Sequence, residues 1–306
     1  MKIAILGATS HIAKGLIFHF TRHGQSELVL FARSHDKVAD FLQSIDARNI
    51  AEVHALDEFN EGTYDVIINC IGIGQPVKLK AQPALIFGLT ELYDNLIIDY
   101  LLHHPDKLYI NFSSGAAYGS DRSQPASDST SSLLDINHLT PENYYTIAKI
   151  NSEAKHRSHA LLNICDLRVF AYFSRFIDLD SQYFLTDIIS CIKANKVFVT
   201  SPQNMIRDYV HPDDLFSLVL KCIERSTGND VYDVFSLNPV DKFEILSFFR
   251  NNFGLKYSVE ENISFASATG NKDSYFSLSR KAHTIGYYPR FTSIESIKEE
   301  AAAVLV

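Results

Sequence analysis

The chain has 306 residues, of which 46% are hydrophobic and 21% charged, so it is long enough for one large domain or two smaller ones with a sizeable core. The formal net charge is −8, and no run of basic residues occurs. These properties argue against a nucleic-acid-binding protein, which would need clustered Lys and Arg.

Short apolar runs alternate with helical or polar segments over about the first 170 residues. The predicted strands are Lys2–Leu6, Leu28–Ala32, Ala51–Leu56, Asp65–Ile71, Lys107–Phe112 and Cys165–Phe170, and the predicted helices are Ile12–Phe20, Ala84–His103 and Pro141 to about Leu161. The apolar runs do not alternate strictly with polar residues, which is typical of strands covered on both faces, as in a parallel sheet. We therefore predict an α/β protein with a doubly wound parallel sheet, the Rossmann fold.

The alternation weakens after about residue 174, where aromatic residues accumulate. We predict that residues 1–174, with 205–235 returning to them, form the Rossmann domain. Residues 175–204 and 236–306 would form a smaller mixed α/β C-terminal region that binds substrate. Residues 119–143 are rich in Ser, Asp and Pro, and a loop of this length is usually functional or disordered.

The first predicted strand leads into the turn Gly7-Ala8-Thr9-Ser10-His11-Ile12-Ala13 and then into a helix. Such a turn lets backbone N–H groups at the positive end of the helix approach a pyrophosphate. Only Gly7 is a glycine, so the turn alone is equally compatible with an ordinary strand–helix connection. The candidate cofactor-binding residues are Gly7, Thr9, Ser10, His11 and Ile12.

The ends of the second and third predicted strands bear on which cofactor is bound. Arg33 and Ser34 stand where an NAD-specific site would place an acid against the ribose hydroxyls. A guanidinium beside a hydroxyl suits a 2′-phosphate, which favours NADP; the alternative is that Arg33 is a solvated residue at a strand end. Asp57 is either an acceptor for the adenine amino group or a solvated loop acid.

Tyr145 and Lys149 lie one turn apart on one face of the helix that begins near Pro141. An isolated pair of this kind is more often an ordinary surface pair. However, the hydroxyl-bearing segment that follows strand Lys107–Phe112 lies at the carboxyl end of a parallel strand, where α/β sheets bind ligands. A free tyrosine is poorly matched to neutral pH, whereas an adjacent ammonium and an oxidised nicotinamide both favour the phenolate.

Five motifs in chain order carry a resemblance to a known family: GATSHIA (7–13), SSGAAYG (113–119), YTIAK (145–149), LRVF (167–170) and RDYVHPDD (207–214). The chain resembles, over nearly its whole length, the extended short-chain dehydrogenase/reductases, which include sugar-nucleotide epimerases, dehydratases and ketoreductases. The resemblance implies that Ser114 binds the substrate carbonyl or alkoxide and that Tyr145 is the general acid/base. Lys149 would tune Tyr145 and hold the nicotinamide ribose.

The same resemblance implies further binding properties. Arg207 matches the position that binds the substrate pyrophosphate, a task suited to a bidentate guanidinium. The alternative is that Arg207 contacts Asp208 and only braces a loop. A homodimer through a helical bundle is common in the family.

Within the family, the residues after Ser114 favour one activity over the others. Dehydratases of this kind carry an Asp-Glu pair directly after the catalytic Ser or Thr, whereas this chain has Gly115 and Ala116. The leading hypothesis is therefore an NADPH-dependent reductase of a nucleotide-linked 4-keto-6-deoxy sugar, serving polysaccharide precursor synthesis. The alternatives are a sugar-nucleotide 4-epimerase with tightly bound NAD and a non-catalytic NADP-sensing regulator.

Other sequence features predict a cytoplasmic protein. The first apolar run is too short for a signal peptide, and no stretch approaches the roughly 20 apolar residues that span a membrane. The four cysteines form no CxxC pair and are interpreted as free thiols. His19/His23 and His156/His159 have helical spacing but lack a recognisable third ligand, so no metal site is predicted.

Overall fold

The computed structural model describes residues 1–73, 79, 81–119, 124–225, 228–261 and 273–305. The strands are β1 (Lys2–Leu6), β2 (Glu27–Phe31), β3 (Ala51–His54), β4 (Val66–Asn69), β5 (Leu108–Ser114), β6 (Asn163–Val169), β7 (Ala171–Tyr172), β8 (Val197–Thr200), β9 (Ile206–Arg207), β10 (Tyr209–Val210), β11 (Asn229–Asp233), β12 (Val240–Asp241), β13 (Lys256–Val259) and β14 (Ser274–Tyr275). The α-helices are α1 (His11–His23), α2 (His35–Ser44), α3 (Leu85–His103), α4 (Pro141–Ser158), α5 (Phe184–Lys193), α6 (Pro212–Arg225), α7 (Lys242–Phe253) and α8 (Ser293–Leu305).

Seven strands form one sheet in the order β11-β6-β5-β4-β1-β2-β3, and every neighbouring pair is parallel. Apolar side chains cover both faces of this sheet, which explains why its central strands are continuous apolar runs. The predicted Rossmann fold is confirmed. The chain leaves β1 towards β2 on one side and later returns to β4 on the other, which creates a crevice at the carboxyl edge.

Predicted and observed elements agree in type and differ at their ends. The helix that begins at Pro141 was expected to reach about Leu161, but α4 ends at Ser158. His159 has non-helical dihedral angles (φ −93°, ψ 53°), and the side chain of Leu161 is 95% exposed. Leu161 therefore contributes no apolar contact that would favour a further helical turn.

A separate apolar core lies outside the seven-stranded sheet. It is built from α5, α7 and α8 together with β8 and β10, and its buried members include Phe173, Phe198 and Phe249. Helix α6 instead belongs to the layer of the main sheet, where it packs on α1. In the described parts of the chain, no helix has both the length and the apolar composition needed to cross a membrane.

Candidate active site

A cleft of about 1750 Å³ opens at the carboxyl edge of the main sheet. Most small-molecule sites occupy roughly 300–1000 Å³, so this cleft has room for two ligands side by side. Most of the predicted site residues line it: Gly7, Thr9, Ser10, His11, Ile12, Arg33, Ser114, Tyr145, Lys149 and Arg207.

The turn at residues 7–13 contains one glycine, Gly7, and its backbone conformation requires it. Gly7 has φ +78°, and a Cβ at this position would lie 3.0 Å from backbone atoms of Cys70 and Ile71. Ser10 caps α1, since its Oγ accepts a hydrogen bond from the Ala13 N–H at 3.3 Å. The positive end of α1 is thus held at the wall of the cleft.

The His11 side chain is turned towards the rest of the protein. Its Nε2 accepts a hydrogen bond from the Ser174 N–H at 3.1 Å and lies 2.8 Å from Ser174 Oγ, and its ring packs on Tyr172. Burial lowers the pKa of His11 to about 3, so the imidazole stays neutral. His11 can therefore donate a hydrogen bond to an anion from its backbone N–H, but its uncharged imidazole cannot form an ion pair with that anion.

Three cationic side chains line the cleft near the ends of β1 and β2. Arg33 was predicted, whereas Lys14 in α1 and Lys37 in α2 were not. Ser34 and Asp57 do not line the cleft: Ser34 is the N-cap residue of α2, and Asp57 lies exposed in the 3₁₀-helix that follows β3. The two lysines belong to no sequence motif. They lie on different helices, and only the packing of these helices brings both to the cleft.

Ser114, Tyr145 and Lys149 all line the cleft. Ser114 is the last residue of β5 and is buried, while Tyr145 and Lys149 project from α4. The Lys149 ammonium donates a hydrogen bond to the carbonyl of Phe112 at 2.9 Å and lies 5.8 Å from the centre of the Tyr145 ring. This bond ties the helix to the strand that carries the serine.

The neighbouring serine, Ser113, is hydrogen-bonded within the protein. Ser113 donates its hydroxyl proton to Glu153 Oε1 at 2.5 Å, and Glu153 also accepts two hydrogen bonds from the guanidinium of Arg168. Ser114 has different partners: its Oγ accepts the backbone N–H of Ala116 at 3.2 Å and lies 2.9 Å from the hydroxyl of Tyr275.

Arg207 lies on β9, lines the cleft and is half-buried. Its Nη1 donates to the carbonyl of Ile206 at 2.9 Å. Asp208 accepts hydrogen bonds from the backbone N–H of Ser236 at 3.0 Å and from Ser293 Oγ at 3.2 Å. Since no ion pair joins Arg207 to Asp208 among the described residues, the geometry does not favour the alternative in which an Arg207–Asp208 contact braces a loop.

One group in the described parts of the chain has the composition of a metal site, namely His211, Glu299 and Glu300, with candidate ligand atoms within 4.8 Å. Glu300 is held by Arg175, whose Nη2 lies 2.6 Å from its Oε1. His211 Nδ1 accepts the backbone N–H of Asp213 at 3.1 Å, which places the imidazole proton on Nε2. The Nε2 atom then lacks the lone pair that a metal requires, so we assign this group a structural role.

A parallel Rossmann sheet with a Ser/Tyr/Lys set at its carboxyl edge defines an extended short-chain dehydrogenase/reductase. The chain belongs to the NAD dependent epimerase/dehydratase family, whose sequence model matches residues 3–237. No curated protein sequence matches the chain.

Solved structures match over nearly the whole chain. A dTDP-glucose 4,6-dehydratase from Bacillus anthracis, in complex with NAD, is 13% identical with a TM-score of 0.77, covering 99% of this chain and 96% of its own. A UDP-glucose 4-epimerase from Thermotoga maritima is 14% identical with a TM-score of 0.80, covering 99% and 98%. A UDP-N-acetylglucosamine 4-epimerase from Methanobrevibacter ruminantium is 16% identical with a TM-score of 0.81, covering 99% and 97%. At these low sequence identities, the structural similarity establishes the fold alone.

Proposed function

We propose that the protein is an NADPH-dependent reductase of a nucleotide-linked 4-keto-6-deoxy sugar. The observation that supports it most directly is one cleft that combines Ser114, Tyr145 and Lys149 with a cluster of cations at the end nearest β2. A non-catalytic sensor of the same fold would need the cofactor end of this cleft but not the Ser/Tyr/Lys set.

The residues of the cleft fit a nicotinamide dinucleotide. The tight turn at Gly7 and the N-terminus of α1 suit a pyrophosphate. Arg33, Lys14 and Lys37 suit a 2′-phosphate, which only NADP carries. Lys149 would hold the nicotinamide ribose. When bound, NADPH supplies the hydride.

Tyr145 and Ser114 would manage charge at the reacting oxygen. As the carbonyl carbon is reduced, Tyr145 gives its phenolic proton to the oxygen, and the Ser114 hydroxyl stabilises the negative charge that develops there. The Lys149 ammonium, 5.8 Å from the centre of the Tyr145 ring, would attract the negative charge that Tyr145 carries after it gives up its proton.

The segment after Ser114 supports reduction over water loss. A Cβ at Gly115 would lie 2.4 Å from the Phe170 ring, and Ala116 is 1% exposed. Neither position has space for the carboxylate pair that dehydratases of the family use. Arg207, which also lines the cleft, would bind the substrate pyrophosphate.

A sugar-nucleotide 4-epimerase is the second candidate. Two of the three relatives described above are 4-epimerases, and the third, the dehydratase, was solved with NAD. An epimerase needs the same Tyr145 and Ser114, but it retains and recycles its cofactor.

We further propose a cytoplasmic homodimer that contributes to polysaccharide precursor synthesis. Helix α3 packs on α4 and presents exposed leucines, including Leu92 and Leu102, which could contact a second copy. The core formed by α5, α7 and α8 would support the substrate side, within residues 175–204 and 236–306.

The test is NADPH oxidation measured against a panel of nucleotide-linked 4-keto-6-deoxy sugars, with the product configuration read by NMR. We expect stoichiometric NADPH consumption with at least one member. Protein that purifies with NAD and interconverts sugars without net NADPH consumption would be an epimerase. Tight NADPH binding without turnover of any sugar would favour the sensor.

Replacing Arg33 with Ala should weaken NADPH binding selectively. Losing a hydrogen bond to a charged group costs about 1.5–3 kcal/mol, so we expect the KM for NADPH to rise about 10- to 150-fold while that for NADH changes little. Arg48→Ala is the matched control, because Arg48 is exposed and does not line the cleft. An equal rise for both cofactors would contradict a 2′-phosphate contact.

A further inference from the structure

A second buried phenol contacts the candidate catalytic serine. The hydroxyl of Tyr275, in β14, lies 2.9 Å from Ser114 Oγ, although 161 residues separate the two in sequence. Tyr275 lines the cleft, is 3% exposed, and its ring lies 5.9 Å from the guanidinium of Arg207. The contact therefore joins the serine to the end of the cleft where Arg207 lies.

Either hydroxyl can be the donor in this contact. Ser114 Oγ accepts the backbone N–H of Ala116 at 3.2 Å, which occupies one of its lone pairs. The same N–H also interacts with the phenol oxygen of Tyr275. This donor faces both oxygens and does not select a direction. Only the arrangement in which Tyr275 donates to Ser114 Oγ leaves the Ser114 proton free to point into the cleft. The reverse arrangement would use that proton up.

The two phenols beside Ser114 differ in their surroundings. Burial raises the pKa of Tyr275 well above its ordinary value, and a negative charge on Tyr145 raises it further. Tyr275 thus remains a neutral donor when Tyr145 has given up its proton. Two like groups held in different states at one site commonly have different roles in a reaction.

We propose that Tyr275 is a positioning residue that donates its hydroxyl proton to Ser114 Oγ and so aims the Ser114 proton at the reacting oxygen of the substrate. Hydrogen bonds in such a chain polarise one another, so the Ser114 hydroxyl becomes a stronger donor to the developing negative charge. The proposal rests on the proposed role of Ser114. No group is transferred to Tyr275.

The kinetic test is a double-mutant cycle between Tyr275→Phe and Ser114→Ala. Tyr275→Phe alone should lower kcat about tenfold with little change in KM, and it should have no further effect in the Ser114→Ala background. Tyr118→Phe is the matched control. Tyr118 belongs to the same small cluster of buried residues as Tyr275, but its hydroxyl donates to Asp233 at 2.8 Å. That variant should leave kcat unchanged.

Two kinetic outcomes would overturn the proposal. If Tyr275→Phe lowers kcat by the same factor with and without Ser114, the two residues act independently. If it changes KM alone, Tyr275 contacts the sugar rather than orienting the serine.

A second measurement is independent of turnover. In protein labelled with ¹³Cζ-tyrosine, the Tyr275 resonance is the one that disappears in Tyr275→Phe. Ser114→Ala should shift it and leave the Tyr118 resonance in place; an unshifted Tyr275 resonance would exclude the contact. A protein that reduces none of the sugar panel but shows this shift refutes the proposed reductase function and retains the Tyr275–Ser114 pairing.

Discussion

Tyr145→Phe is expected to lower kcat by about 10²- to 10⁴-fold, the usual contribution of a positioned general acid. Phenylalanine keeps the ring that lies 5.8 Å from the Lys149 ammonium and removes only the proton donor. Binding of NADPH should persist, because the proposed contacts to the pyrophosphate and the 2′-phosphate lie at the other end of the cleft. The measurement is kcat on the best substrate of the panel, with the cofactor Kd determined by fluorescence titration.

Tyr144→Phe provides a control on the same helix. Tyr144 is half-buried and its ring packs 5.4 Å from that of Phe87, but it does not line the cleft. Its loss of a hydroxyl should leave kcat within about twofold of the wild type. Comparable losses in both variants would mean that the helix tolerates neither change, and full activity in Tyr145→Phe would refute the assignment of Tyr145 as the general acid.

The fold could be predicted because its signals are local. The central strands β1, β2 and β4 are almost entirely apolar, and Pro141 marks the beginning of the helix that carries Tyr145 and Lys149. The meeting of Ser114 with this pair followed from a general property of parallel sheets, whose carboxyl ends share one edge.

The remaining parts of the site depend on packing between distant segments. Tyr275 reaches Ser114 because β14 pairs with β9, and no periodicity in the sequence specifies that pairing. Lys14 and Lys37 come to one corner only because α1 and α2 follow adjacent strands. The His11 ring contacts Ser174, and the position of His11 in the glycine turn did not predict this side-chain orientation.

The helix that carries Tyr145 and Lys149 is also anchored by a buried charge cluster. His156 is 0% exposed, with its Nε2 2.7 Å from Asp94 Oδ1 and its Nδ1 2.9 Å from Asp166 Oδ1. Lys155 and Arg157 contact the outer oxygens of these carboxylates, each at 2.6 Å. Since Asp94 lies on α3 and Asp166 on β6, the cluster fixes α4 against both elements.

The pH dependence of this cluster follows from His156. Burial alone would lower its pKa, but the hydrogen bonds and charges of Asp166 and Asp94 outweigh burial and raise the pKa to about 9. An unfolded histidine has a pKa near 6.5. The stabilisation is therefore complete below about pH 6.5 and is lost as the pH rises through about 9.

His156→Gln should accordingly destabilise the protein by about 3–5 kcal/mol at pH 6, because it leaves two buried carboxylates without the cation between them. The difference from wild type should shrink at pH 10, where wild-type His156 has itself lost its proton. Urea unfolding at the two pH values measures both free energies. His138→Gln is the control: His138 is 81% exposed and pairs only with Asp135 among the described residues, so its loss should cost less than about 1 kcal/mol. A His156→Gln effect of the same size at both pH values would mean that the histidine fills space between the carboxylates rather than neutralising them.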